Sequence, residues 1–152
     1  MKVILASDHR GYQLKDSLKK FLEEKKIEFL DVGTFSADSV DYPDFAMLAA
    51  EKVSRGDYDR GILICGSGIG MCIVANKFTG VRAALCHDVF TAEMSRKHND
   101  SNMLVLGADV MNEELARKIL LVWLETRFDG GRHLRRIQKI SEIESRLGKH
   151  CQ

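Results

Sequence analysis

The sequence predicts a three-layer α/β/α sandwich: a five-stranded parallel sheet covered by helices, with one extra C-terminal helix. Three observations carry this expectation. Short apolar runs alternate with longer amphipathic stretches five times over, the pattern that right-handed strand–helix–strand crossovers require. The third run, Ile62-Leu63-Ile64 leading into Cys65, has no polar face, as befits a strand covered on both sides. After the fifth strand and its helix comes one more stretch, with Ile137, Ile140, Ile143 and Leu147 on one side and charges on the other.

The elements follow in order. Residues 2–6 (KVILA) read as a strand, and residues 12–25 place Leu14, Leu18, Phe21 and Leu22 on one helical face. Residues 27–32 (IEFLDV) give a second strand, ended by Gly33. Asp41 and Pro43 mark a helix start, and Phe45, Leu48, Ala49 and Val53 carry that helix inward. Residues 61–65 form the third strand. The stretch after Gly70 (MCIVANKF) is apolar nearly all round, which predicts a buried helix. Residues 81–86 give a fourth strand, and Asp88 caps a helix through His98. Residues 103–106 give a fifth. Asn112 then caps a helix with Leu115, Ile119, Val122 and Trp123 on one stripe. The closing helix is expected to pack either on its own sheet or on a partner subunit.

Composition narrows the class. The 152 residues suit one domain, residues 1–152, large enough to fold without metal or disulfide. The net charge of +1 lacks the basic excess that nucleic-acid binding needs. The spacings of Cys65, Cys72, Cys86 and Cys151 fit no zinc pattern; reduced thiols in the cytoplasm are the plain expectation. Cys72 and Cys86 read as small core residues and Cys151 as tail. No apolar run approaches membrane-spanning length, and no secretory leader is visible.

In open parallel sheets, sites gather at the carboxyl ends of strands. Those ends deliver Ser7, Asp8, His9 and Arg10, then Cys65 with "GSGIG", then Cys86 and His87, then Gly107, Ala108 and Asp109. Glycines at 66, 68 and 70 let a loop turn tightly and aim backbone N–H groups at an anion. A tight turn with no ligand is the plain alternative. The spacing is not the dinucleotide fingerprint. A C-x5-R phosphatase loop would need Arg at Met71. Cys65, beside that loop and a helix start, is expected to have a lowered thiol pKa. Arg132 and Arg136 lie one helical turn apart and can fork a phosphate. A solvated basic helix is the alternative. Together these elements point to a small phosphorylated substrate, a base and an oxyanion site.

The stretches "SDHRGYQLK", "VDYPDFA", "GILICGSGIGMCIVANK", "RAALC", "SRKHNDSNMLVLG" and "FDGGRHLRRIQKI" resemble the ribose-5-phosphate isomerase B family, which includes the galactose-6-phosphate isomerase subunits. The resemblance runs from about residue 1 to 145. It implies a Rossmann-like domain acting as a homodimer or homotetramer with shared active sites, and aldose–ketose isomerisation of a phosphorylated sugar without metal or other cofactor. Carried over by position, Cys65 matches the catalytic base. His98 matches the ring-opening residue, supplied by the partner subunit. Gly66, Ser67, Gly68, Ile69 and Gly70 match the enediolate-binding loop, with the Ser67 hydroxyl where Ser or Thr is usual. Asp8 and Asn99 match sugar-hydroxyl contacts, and His9, Arg132 and Arg136 the phosphate clamp. Tyr42 lies in a motif near the site. Some members carry Glu in place of Met71 and lack the cysteine, so this chain is of the cysteine type. Many members carry Arg where this chain has Asp109, which would either repel a phosphate or pair with a nearby arginine and so bears on phosphate affinity and substrate identity; galactose 6-phosphate and allose 6-phosphate are the rival substrates. A non-catalytic sugar-phosphate-binding subunit is a rival of another class.

Overall fold

The structure is a computed structural model that describes residues 1–148; Cys151 lies outside the described residues. Five strands form one sheet: β1 (Val3–Ser7), β2 (Phe29–Asp31), β3 (Arg60–Cys65), β4 (Ala83–Leu85) and β5 (Met103–Gly107). Every ladder is parallel, and the order is β2-β1-β3-β5-β4. The helices are α1 (Tyr12–Glu24), α2 (Tyr42–Ser54), α3 (Ile69–Ala75), α4 (Val89–Asn99), α5 (Glu113–Glu125) and α6 (Arg132–Gly148). The expected three layers, five parallel strands and closing helix are all present.

Strand composition explains the layout. β1 and β5 are buried throughout, and β3 from Gly61 onward; all three occupy the centre. Alternate side chains on them feed two cores. Val3, Leu5, Ile62, Ile64, Leu104 and Leu106 meet α1, α4 and α5. Ile4, Ala6, Leu63, Cys65, Met103 and Val105 meet α2 and α3. The predicted second and fourth strands shrink to three residues each because they are the sheet's edges, where only one side can pair. On β4 the outward N–H and C=O of Ala83 are both bound by the Asn76 side chain, each at 2.9 Å.

Two burial expectations fail. α3 is not buried all round: Met71 and Ala75 face the core, whereas Ile69 and Ile73 are exposed. Leu48 of α2, expected to point inward, is also exposed, and Ala46, Ala49 and Ala50 make the contact with the sheet instead. Small residues there let the helix backbone approach the strands closely. Of the four apolar residues expected to form one side of α6, only Ile137 is buried, while Ile140, Ile143 and Leu147 face out. Asp88 forms its capping box with Thr91, and Asn112 accepts from the N–H of Leu115 at 2.9 Å. Asp41 precedes α2 in extended conformation but makes no side-chain cap. No helix among the described residues is long and apolar enough to cross a membrane.

Candidate active site

β1 leads off to β2 on one side of the sheet, while β3 leads on towards β4 and β5 on the other. The crevice between their carboxyl ends is the switch point where ligands of such sheets bind. A cavity of about 260 Å³ lies there, lined by Asp8, Arg10, Tyr42, Cys65, Gly66, Ser67, Gly70 and Asp109. Six of these eight were expected from the sequence. Arg10 and Asp109 were not assigned to the site, although both stand at strand ends. His9, Gly68 and Ile69 were expected and do not line it.

Each group is held by its neighbours. Asp8 Oδ1 accepts from the N–H groups of Arg10 and Gly11, both at 2.9 Å, so one carboxylate oxygen shapes the β1–α1 turn. His9 Nδ1 accepts from Val40 N–H at 3.2 Å; any proton it shares with a ligand must leave from Nε2. The Tyr42 ring lies against Gly70, where a Cβ would approach it to 2.6 Å. Gly68 begins α3 with φ of 80°, a conformation that glycine adopts without strain.

Cys65 is only 4% exposed, yet it lines the cavity. Gly68 N–H donates to its sulfur at 3.2 Å. Burial pushes the thiol pKa up; the Met71, Gly68 and Ser67 amides pull it back, and the Asp8 charge adds to the rise. The net direction is up, opposite to the sequence expectation, because desolvation outweighs the loop. The loop is also less bare than its glycines imply: Ile69 N–H is engaged with Ser67 Oγ at 3.3 Å.

The remaining expected residues lie elsewhere. His98 and Asn99 end α4, and Arg132 and Arg136 open α6; none lines the Cys65 cavity. His98 instead stacks on His133, a residue the sequence reading passed over between two arginines. His133 is 6% exposed, and its Nε2 accepts from Arg132 Nε at 3.3 Å. Ligand atoms of His98, Asp129 and His133 lie within 4.8 Å of one another. Imidazole lone pairs lie in the ring planes. Planes 3° from parallel, with centroids 4.2 Å apart, cannot both contain one ion, so this arrangement does not fit a metal.

A parallel sheet with a thiol, a carboxylate and a glycine loop at its switch point defines a small-molecule site, and comparison with known proteins assigns its class. The chain belongs to the ribose/galactose isomerase family, whose model matches residues 3–140, and at that level it is an isomerase. It is similar to ribose-5-phosphate isomerase B of Escherichia coli strain K12, with 43% identity covering 95% of this chain and 97% of the relative. It is 38% identical to D-erythrulose-4-phosphate isomerase of Pectobacterium atrosepticum, over 95% of each chain. Among solved structures, ribose-5-phosphate isomerase B of Clostridium thermocellum superposes with a TM-score of 0.95 and 49% identity, covering 97% of this chain and 99% of that one.

Proposed function

We propose that the protein interconverts ribose 5-phosphate and ribulose 5-phosphate through a cis-enediolate, in sites shared between two copies of the chain. The observation that carries this reading is Cys65 lining a cavity at the β1–β3 switch point beside Asp8, Ser67 and the glycine loop, with the Gly68 amide donated to its sulfur. The named activities of the Escherichia coli and Clostridium relatives support the choice of sugar. The split between the Cys65 cavity and the α4–α6 cluster supports sharing: His98, Asn99, Arg132 and Arg136 of one copy complete the cavity of another. The exposed apolar side chains of α3 and α6 suit burial between copies. A dimer, or a tetramer made of such dimers, satisfies this. Reduced Cys65, Cys72 and Cys86 accord with a cytoplasmic setting.

The chemistry follows from the groups. His98 gives a proton to the ring oxygen as the bond from carbon 1 to that oxygen breaks, and the anomeric hydroxyl returns a proton to His98, leaving the open-chain aldehyde. The Cys65 thiolate takes the proton from carbon 2 and returns it to carbon 1, while the hydroxyl proton moves from oxygen 2 to oxygen 1. A positioned base of this kind contributes on the order of a hundred- to ten-thousand-fold. Negative charge grows on the substrate oxygens as carbon 2 loses its proton. Donors of the Gly66–Gly70 loop and the Ser67 hydroxyl face that charge, and losing one such donor costs about 3–4 kcal/mol of barrier. His9, Arg132 and Arg136 hold the phosphate, far from the reacting carbons, so its binding energy keeps the sugar in register. Asp8, Asn99 and Tyr42 contact the sugar.

A second reading concerns the sugar itself. Asp109 stands where the resemblance leads one to expect arginine, and the Pectobacterium relative is named for a four-carbon substrate. A coupled assay of the purified chain decides both questions. It compares ribose 5-phosphate, erythrulose 4-phosphate, allose 6-phosphate and galactose 6-phosphate, with and without chelator. Fastest turnover of ribose 5-phosphate, unaffected by chelator, is the expected result. Faster turnover of another sugar reassigns the substrate, and no turnover of any by the single chain identifies a binding subunit.

A further inference from the structure

Arg10 and Asp109 come from the loops after β1 and β5 and meet over Gly66. Arg10 Nη2 lies 2.6 Å from Asp109 Oδ2. The amide of Asp109 donates to Gly66 O at 3.0 Å, and the amide of Arg10 is fixed on Asp8. A Cβ at Gly66 would come within 2.6 Å of Asp109 Oδ2 and 2.8 Å of Arg10 Nε. The ion pair therefore rests on the Gly66 backbone, one residue from Cys65, and both of its members line the Cys65 cavity.

Stability does not account for this arrangement. The two side chains are 59% and 43% exposed, and ion pairs that open to water contribute at most about 1 kcal/mol to folding. What the pair does achieve is orientation. Asp109 engages one edge of a guanidinium that carries five N–H donors, leaving donors for another acceptor. Such an acceptor arises beside Cys65 when a proton leaves the substrate. Two of the loop's amides are already engaged, Gly68 with Cys65 Sγ and Ile69 with Ser67 Oγ, so the cation offers what those amides do not.

We propose that Arg10, aimed by Asp109, is a further substrate-contact residue of this cavity, donating to the substrate oxygen that turns negative as carbon 2 is deprotonated. This rests on the isomerase reading above. The test compares the wild type, Arg10→Gln, Arg10→Lys, Asp109→Asn and the double variant Arg10→Gln/Asp109→Asn. Turnover of ribose 5-phosphate is measured beside affinity for two probes: the hydroxamate of a phosphorylated four-carbon sugar acid, which mimics the planar anion, and ribitol 5-phosphate, which has no carbonyl to polarise.

Arg10→Gln is expected to lower kcat roughly 10- to 100-fold and to weaken the hydroxamate about as much. Ribitol 5-phosphate binding and the thermal midpoint stay near wild type, and Arg10→Lys recovers part of the loss. Asp109→Asn gives a smaller loss, and the double variant is no slower than Arg10→Gln, because Asp109 acts through Arg10. Equal weakening of both probes would make Arg10 a phosphate ligand and overturn the proposal. Unchanged kcat and hydroxamate affinity would also overturn it. A wild type that binds the hydroxamate but turns over no ribose 5-phosphate defeats the reaction assignment instead, and the hydroxamate affinities then still decide for or against Arg10.

Discussion

The imidazoles of His98 and His133 lie face to face, centroids 4.2 Å apart and planes 3° from parallel. Burial holds the His133 pKa below the ordinary value of 6.5, as do His98, Arg132 and Arg136, with Asp129 opposing. In the unfolded chain His133 binds its proton more readily than in the folded one. Stability is therefore full above the ordinary histidine value and falls as pH drops below it. Thermal midpoints measured from about pH 7.5 to about pH 5 are expected to decline, and His133→Phe, which keeps the stack, flattens the decline. A pH dependence identical in both proteins would exclude His133 as its source.

Cys65→Ala removes the proposed base. Turnover is expected to fall by about a hundred- to ten-thousand-fold, while binding of a phosphorylated sugar persists, because the proposed phosphate and hydroxyl contacts are untouched. Titration calorimetry beside the coupled assay separates the two effects. Since burial raises the thiol pKa, the thiolate fraction grows with pH, and wild-type kcat/KM is expected to climb from neutrality into the alkaline range. A flat alkaline profile, with chemistry shown to be rate-limiting, would remove Cys65 as the titrating group.

Arg136 is exposed, so truncating it costs the fold little. A charged hydrogen bond is worth about 1.5–3 kcal/mol, which corresponds to a KM increase of roughly ten- to a hundredfold for Arg136→Ala. The thermal midpoint should hold and kcat should change less than KM. An unchanged KM takes Arg136 out of the clamp.

Lys15 is wholly buried, with Nζ 2.5 Å from Asp31 Oδ1 and 2.7 Å from the carbonyl of Thr34. Burial lowers its pKa, with Asp31 opposing. Breaking a buried pair costs about 3–5 kcal/mol. Lys15→Met should fall at the lower end, because Lys19 still reaches Asp31 Oδ2 at 3.0 Å. The check is a lower urea midpoint with an unchanged slope.

The alternation of runs was enough to read layers and helix order, because each strand and each helix stripe is written locally. Neighbour relations are not. Nothing in the β5 sequence says that it lies between β3 and β4, and hydropathy cannot tell that Ile69 and Ile73 look outward while Met71 looks in. The same holds at the site. Asp8, Cys65 and the glycine loop were legible because strand ends and loop chemistry are local, and Tyr42 only through the resemblance of its motif. That Asp109 could pair with a nearby arginine was open in the sequence, but the identity of that arginine was not, since the Arg10–Asp109 pair forms only once two distant loops are brought side by side. The thiol pKa was misjudged for a related reason: the loop is visible in sequence, whereas the depth of burial is not.

Asn76 carries a consequence for how the protein can aggregate and assemble. Its carboxamide occupies the outward donor and acceptor of Ala83, imitating one residue of a sixth strand. An incoming extended chain must first evict that amide before it can zip onto this margin. Growth by strand addition is thereby discouraged at β4, and the proposed pairing of copies falls to the helices.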